Sequence, residues 1–152
     1  MPPTIAAERP DTPDALALIT ELDDHLIPQY PIESHHGFSV DKLIAESVAF
    51  FVLRHDGAAA GCGGVKLFGS EYGEIKRMYV RPQFRGHSYG RLMLEHLENY
   101  ARAQGLACLR LETGIYQTEA IRLYERMGYR RIPPFGEYGE DPNSLFYEKL
   151  LD

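Results

Sequence analysis

No stretch of the chain stays apolar for the roughly 20 residues that crossing a bilayer requires. The opening Met1-Pro2-Pro3-Thr4 lacks the basic then apolar pattern of a secretory leader, so a cytoplasmic location is expected. Cysteine is scarce. Cys62 and Cys108 lie in apolar, strand-like runs without the paired spacing of a zinc site or a disulfide framework, and they read as small buried side chains. A surplus of positive charge is missing as well: the formal net charge is −6, which argues against a general nucleic-acid binder. There is no internal repeat, low-complexity tract or linker, and 152 residues suit one domain, 1–152, with one core.

The positive charge that is present clusters. Lys76, Arg77, Arg81, Arg85 and Arg91 share a stretch with no acidic residue. A basic island in an acidic chain points to a local anionic ligand.

The patterning predicts a mixed chain. Thr4 to Glu8 reads as a short strand. Thr12 can cap a helix with Pro13 at its first position, and Ala15, Leu18, Ile19, Leu22 and Leu26 then recur at helical spacing until Pro28 and Pro31. Tyr30 to Phe38 reads as a loop, and Asp41 to Glu46 as one or two helical turns. Val48–Leu53, Ala59–Phe68 and Glu74–Val80 are β-rich, the first two joined by the hairpin signal Asp56-Gly57, and they predict an antiparallel meander. Arg91–Gln104 is helical, with Met93, Leu94, Leu97, Tyr100 and Ala101 on one face and a Glu98–Arg102 pair at spacing four. Leu106–Thr113 reads as a buried strand, Thr118–Met127 as a helix stopped by Gly128, and Tyr129–Ile132 and Ser144–Leu150 as the last strands. The unit from Glu74 to Thr113 implies parallel pairing through a right-handed crossover.

Between the strand ending at Val80 and the next helix stands Arg85-Gly86-His87-Ser88-Tyr89-Gly90. A helix N-terminus leaves backbone N–H groups unpaired at the positive end of its dipole, and a glycine turn lets a phosphate approach them. Arg85 and Arg91 add charge. The turn is also compatible with a purely structural role. It is neither a dinucleotide fingerprint nor a nucleotide-hydrolase phosphate loop, since the second and third glycines and a Gly-Lys-Ser/Thr are absent.

With residues 74–82 before it and Arg91-Leu92-Met93-Leu94 after it, this turn resembles the acetyl-coenzyme A motif of the GNAT family of N-acetyltransferases. That motif runs Arg/Gln-x-x-Gly-x-Gly/Ala and falls on Arg85, Ser88 and Gly90, with Ser88 replacing the usual glycine. A second segment, Gln117 to Tyr129, is similar to the family's Asn-x-x-Ala-x-x-x-Tyr-x-x-x-Gly-Phe/Tyr, with Gln117 in place of asparagine. The resemblance covers nearly the whole chain. It implies an α/β fold of the α+β type: a mixed central sheet of about six to seven strands, splayed at the middle and flanked by about four helices. It further implies acetyl-coenzyme A as cosubstrate, no metal, direct transfer to an amine, and a homodimer as one arrangement. The pantetheine arm would lie between the splayed strands against the backbone of Met78, Tyr79 and Val80. The amides from Arg85 through Gly86, His87, Ser88, Tyr89 and Gly90, with Arg91 nearby and Gln117 opposite, would hold the rest of the cofactor.

Acyl transfer to an amine needs placement, a neutral amine, a home for the developing oxyanion and a proton for the thiolate. The resemblance makes Tyr124 the general acid, since a phenol with an ordinary pKa of about 10 stays protonated at neutral pH. Its alternative role is core packing. Glu74 is the candidate base, or else the ion-pair partner of Lys76, and Glu112 is a second base candidate. His35 and His36 lack a third ligand at useful spacing and read as exposed loop histidines. Pro133 to Pro142 reads as a loop forming the acceptor wall with Tyr30 to Phe38, where Glu137, Glu140 and Asp141 either attract a cationic amine or form a solvated acidic face. A small-molecule amine is the expected acceptor. A protein or peptide amine, or a coenzyme A-binding regulatory module without turnover, stands as the alternative.

Overall fold

The computed structural model describes residues 2–36 and 39–152; Gly37 and Phe38, at the end of the expected loop, fall outside them. After the short strand β1 (Thr4–Ala7), Thr12 adopts an extended backbone and its hydroxyl accepts the N–H of Ala15 at 3.3 Å. This cap starts α1 (Pro13–Leu26), which buries Ala15, Leu18, Ile19 and Leu22. Pro28 cannot continue the helix, and two single 3-10 turns follow at Ile27–Gln29 and Ile32–Ser34. Ser39 caps α2 (Val40–Ala45), which buries Leu43.

The meander is β2 (Ala49–His55), β3 (Ala58–Phe68) and β4 (Tyr72–Val80), all antiparallel, with β1 added on the free edge of β2. Asp56 and Gly57 both take positive φ, at 49° and 85°, as the hairpin signal requires. α3 (Tyr89–Ala103) crosses over to β5 (Cys108–Gly114), parallel to β4. α4 (Thr118–Arg126), β6 (Arg130–Ile132) and β7 (Ser144–Leu150) complete a seven-stranded sheet of order β1-β2-β3-β4-β5-β7-β6.

Two departures from regularity shape the molecule. The β4–β5 pairing lasts only three residues, Tyr72↔Cys108 to Glu74↔Arg110, after which the two strands separate. The β3–β4 register also shifts between Cys62 and Gly64, so that Arg77 and Met78 together oppose one residue of β3. This bulge breaks the period of two. Ile75 faces the core beneath α3 and α4, and Met78 and Val80 join it there, while Tyr79 turns to the cluster under α1. The core is therefore split by the sheet. Met93, Leu94, Leu97 and Tyr124 cover one face; Leu18, Ile19 and Leu43 cover the other. Each such buried side chain contributes about 1.5–3 kcal/mol, which is what keeps both sides of the opened seam in place.

Candidate active site

The opened seam carries two adjoining cavities. One, of about 920 Å³, runs along the start of α3 and is bounded by Met78, Tyr79 and Val80, by Arg85, Gly86, Ser88, Tyr89, Gly90 and Arg91, and by Gln117 and the outer face of α4. The other, of about 170 Å³, lies between α1, β4, β5 and the loops after α1 and β6. Leu22, Met78, Gln117, Ala120 and Tyr124 border both.

At the large groove, Ser88 has φ 62° and ψ 27°, a left-handed conformation that glycine adopts far more readily than serine. Its side chain caps nothing, so the first amides of α3 have no intrahelical acceptor and no side-chain acceptor from Ser88. Gly90 permits close packing: a Cβ there would stand 2.8 Å from Leu123 of α4. The open edge of β4 beyond Glu74 and the bare helix start supply donors for a long, amide-bearing, anionic ligand.

The basic island divides between structural and ligand-facing roles. Arg77 is 4% exposed and reaches Asp23 of α1 at 2.6 Å and the Ile19 carbonyl at 3.3 Å. Arg81 pairs with Glu21, and Lys76 with Glu74. Only Arg85 and Arg91 border the groove, with Glu119 at 3.8 Å and Glu95 at 2.8 Å as their partners. Of the island, the two arginines expected to add charge at the turn are the ones that border the groove, and Lys76 forms the ion pair considered for Glu74. The His87 ring stacks on Tyr89 at 5.2 Å and lies 5.4 Å from His55, off the groove lining, which leaves its backbone amide as the group expected at the turn. The side chain of Tyr79 points to Glu21, so only its backbone is left for the groove.

The bulge that aims β4 has its own supports. Arg77 sits at φ 54°, a strained position for a side-chain-bearing residue. The thiol of Cys62 donates to its carbonyl at 3.2 Å. Burial pushes that thiol up to about 12, so Cys62 acts as an anchor and not as a nucleophile. The bulge was missed in the sequence. The available signal was Gly61-Cys62-Gly63-Gly64 inside a strand, since interior glycines mark bulges or close backbone approach.

Tyr124 is 6% exposed, packed against Tyr129 and Tyr147, with its hydroxyl 4.0 Å from the Met78 sulfur. Burial, then the nearby Glu112 carboxylate, raises its phenol above the ordinary tyrosine value and keeps it protonated. Packing and cavity-facing roles coincide in this residue.

The small cavity holds two carboxyl groups in different states. Glu74 is bound by Lys76 at 2.8 Å and by the Tyr138 hydroxyl at 2.5 Å, and Lys76 also reaches that hydroxyl at 3.1 Å. Burial lowers Lys76, against the pull of Glu74. Glu112 instead accepts from the Ser144 hydroxyl at 2.7 Å, and burial raises it above the ordinary carboxylate value. Along β5, Leu109 and Leu111 face the α3–α4 core, so Glu112 emerges on the opposite face from Tyr124.

The loops meet over this cavity as expected, with altered details. His36 is half-buried and its Nε2 lies 2.8 Å from Asp141, while exposed His35 turns to the Tyr30 carbonyl at 2.9 Å. Asp141, considered for attracting an amine, is held by the Asn143 amide, His36 and Ser34, which lower it. Gln117 uses its side chain on Tyr30 at 3.0 Å and Gln29 at 3.4 Å. Among the described residues, no three His, Cys, Asp or Glu side chains converge as a metal set would, and no helix is long and apolar enough to cross a membrane.

The sequence matches the Acetyltransferase (GNAT) family over residues 18–129. It is 46% identical over 149 residues to the IAA acetyltransferase of Azospirillum brasilense, covering 97% of both chains. It is 33% identical over 138 residues to the N-acetyltransferase YsnE of Bacillus subtilis, covering 90% of this chain and 91% of the other. Among solved structures, a candidate acyl-CoA N-acyltransferase from Klebsiella pneumoniae superposes with a TM-score of 0.84 at 36% identity, covering 99% of this chain and 98% of that one. A candidate acetyltransferase from Salmonella typhimurium, solved with acetyl-CoA, shares the fold at a TM-score of 0.73 and 18% identity, covering 100% of this chain and 95% of the other.

Proposed function

The chain belongs to the GNAT family of acetyl-CoA-dependent N-acetyltransferases, and from that premise we propose that it acetylates the primary amine of a small molecule, with Tyr124 as general acid and Glu112 as general base. The observation that carries this reading is the position of Tyr124, which borders both the long groove and the small cavity where they meet. A thioester threaded along β4 presents its sulfur and carbonyl at that junction. Acetyl-coenzyme A is the donor, and the residues present fit it: bare amides at the start of α3, Arg85 and Arg91 for phosphate charge, and an unpaired strand edge for the pantetheine amides.

The small cavity takes the acceptor. Glu112 removes a proton from the ammonium, which leaves a neutral nitrogen. That nitrogen attacks the thioester carbonyl, the C–N bond forms and the C–S bond breaks, Tyr124 gives its proton to the departing thiolate, and the second proton lost from the nitrogen restores the phenol. A backbone N–H at the Met78 bulge is the donor assigned to the developing oxyanion. Glu74, named as base from the sequence, becomes a positioning residue in this scheme, because Lys76 and Tyr138 already occupy it. The amine-acetylating reading is tested by following thiol release from acetyl-coenzyme A across an amine panel of amino acids, polyamines and arylamines, with IAA, the compound in the Azospirillum relative's name, run separately. Binding of coenzyme A with no acceptor-dependent release would favour a regulatory module instead.

A further inference from the structure

Tyr30 reaches across the seam from the segment after α1 to the far end of β5. Its hydroxyl accepts the backbone N–H of Tyr116 and the side-chain N–H of Gln117, each at 3.0 Å, and its ring stacks on Tyr116 at 5.3 Å. The hydroxyl fills the volume where a Cβ on residue 114 would stand, and Gly114, the last residue of β5, leaves that volume free. Farther along the same segment, Ser34 and His36 bind Asp141 at 3.0 and 2.8 Å. The segment is therefore a strap that leaves α1 on one side of the small cavity and is fastened on the other, at the neighbouring ends of β5 and β7. The space beneath it is about 170 Å³ and partly open, and a cavity of roughly 150 Å³ is filled by a molecule of benzene size.

We infer that Tyr30, seated on Gly114, determines acceptor specificity: it closes the cavity over a compact free amine and keeps the main chain of a polypeptide out. This rests on the amine-acetylating reading above. A polypeptide acceptor needs a trough open at both ends, and the strap lies across it. Closure also excludes water around the amine and shortens the search for the attacking geometry.

Two unrelated changes displace the same hydroxyl: Gly114→Ala from below, by filling its seat, and Tyr30→Ala by removing it. The probes are the best compact amine of the panel and a lysine-containing hexapeptide. In both variants the ratio of kcat/KM for peptide over compact amine is expected to rise by about tenfold or more, while the KM for acetyl-coenzyme A stays within about threefold. Hydrogen exchange at the Tyr116 amide should accelerate in both, because its acceptor is gone. Faster exchange with an unchanged selectivity ratio overturns the inference. So does a shift in only one variant, or a wild-type enzyme that acetylates the peptide as well as the small amine. No thiol release with any amine would sink the functional reading instead, and Tyr116 exchange then judges the strap: unchanged exchange in both variants removes it.

Discussion

The hydroxyl of Tyr138 donates to Glu74 at 2.5 Å while accepting from Lys76 at 3.1 Å, so a loop between β6 and β7 is tied to the strand that borders the opened seam. This triangle engages Glu74 on two sides, whereas Glu112, which lines the same small cavity, accepts from the Ser144 hydroxyl.

The pH profile distinguishes the two. A base works only when deprotonated, and burial raises Glu112, so kcat/KM for the amine should climb with pH through a midpoint above the usual carboxylate value. Glu112→Gln should lower kcat by about 100-fold and abolish that limb. Glu74→Gln should keep the limb while altering acceptor KM. The reverse pattern would return the base role to Glu74.

Tyr124→Phe should depress kcat by about 100-fold with little change in affinity for acetyl-coenzyme A, measured by steady-state kinetics and calorimetry. The ring still packs against Tyr129 and Tyr147, so thermal stability should change little. Equal losses in kcat and cofactor affinity would assign the hydroxyl to structure.

Ser88→Gly should stabilise the turn. A left-handed backbone costs a side-chain-bearing residue about 1–2 kcal/mol, and glycine's extra unfolded freedom returns about 0.5–1 kcal/mol of that. The net expectation is up to about 1 kcal/mol in denaturant titration, with acetyl-coenzyme A bound as tightly or more so. A destabilised variant would mean that the Ser88 hydroxyl has a role of its own.

Arg85→Ala should weaken acetyl-coenzyme A binding several-fold, and more so at low salt, because a half-exposed guanidinium acts mainly through a screened field. Binding that is unchanged at every salt concentration would misplace the phosphate.

Glu98→Ala tests the fold apart from the chemistry. Glu98 is 3% exposed and holds the Tyr129 hydroxyl at 2.9 Å and Lys149 at 3.0 Å, and its expected helical partner Arg102 pairs with it more loosely at 3.9 Å. Removing the carboxylate leaves the buried Tyr129 hydroxyl without its acceptor and the half-buried Lys149 without its ion-pair partner, at a cost of about 1–3 kcal/mol in unfolding free energy. Cofactor KM should be unaffected.

Much was legible locally. The Thr12 cap, the α1 stripe, the Asp56-Gly57 hairpin and the turn into α3 all depend on residues within a few positions of one another, and there period and steric preference decide the outcome. Family motifs added the place of Tyr124. What only the tertiary structure decided are the pairings between distant segments. They include the register shift that turns Met78 toward α3, the acidic partners that draw Arg77 and Arg81 to α1, and the Tyr138 contact that occupies Glu74. They also include the seating of Tyr30 beside Tyr116, 86 positions away. Charge and burial at such sites are set by neighbours that no local pattern encodes, so a carboxylate's role becomes readable only once the opposite wall of its cavity is in place.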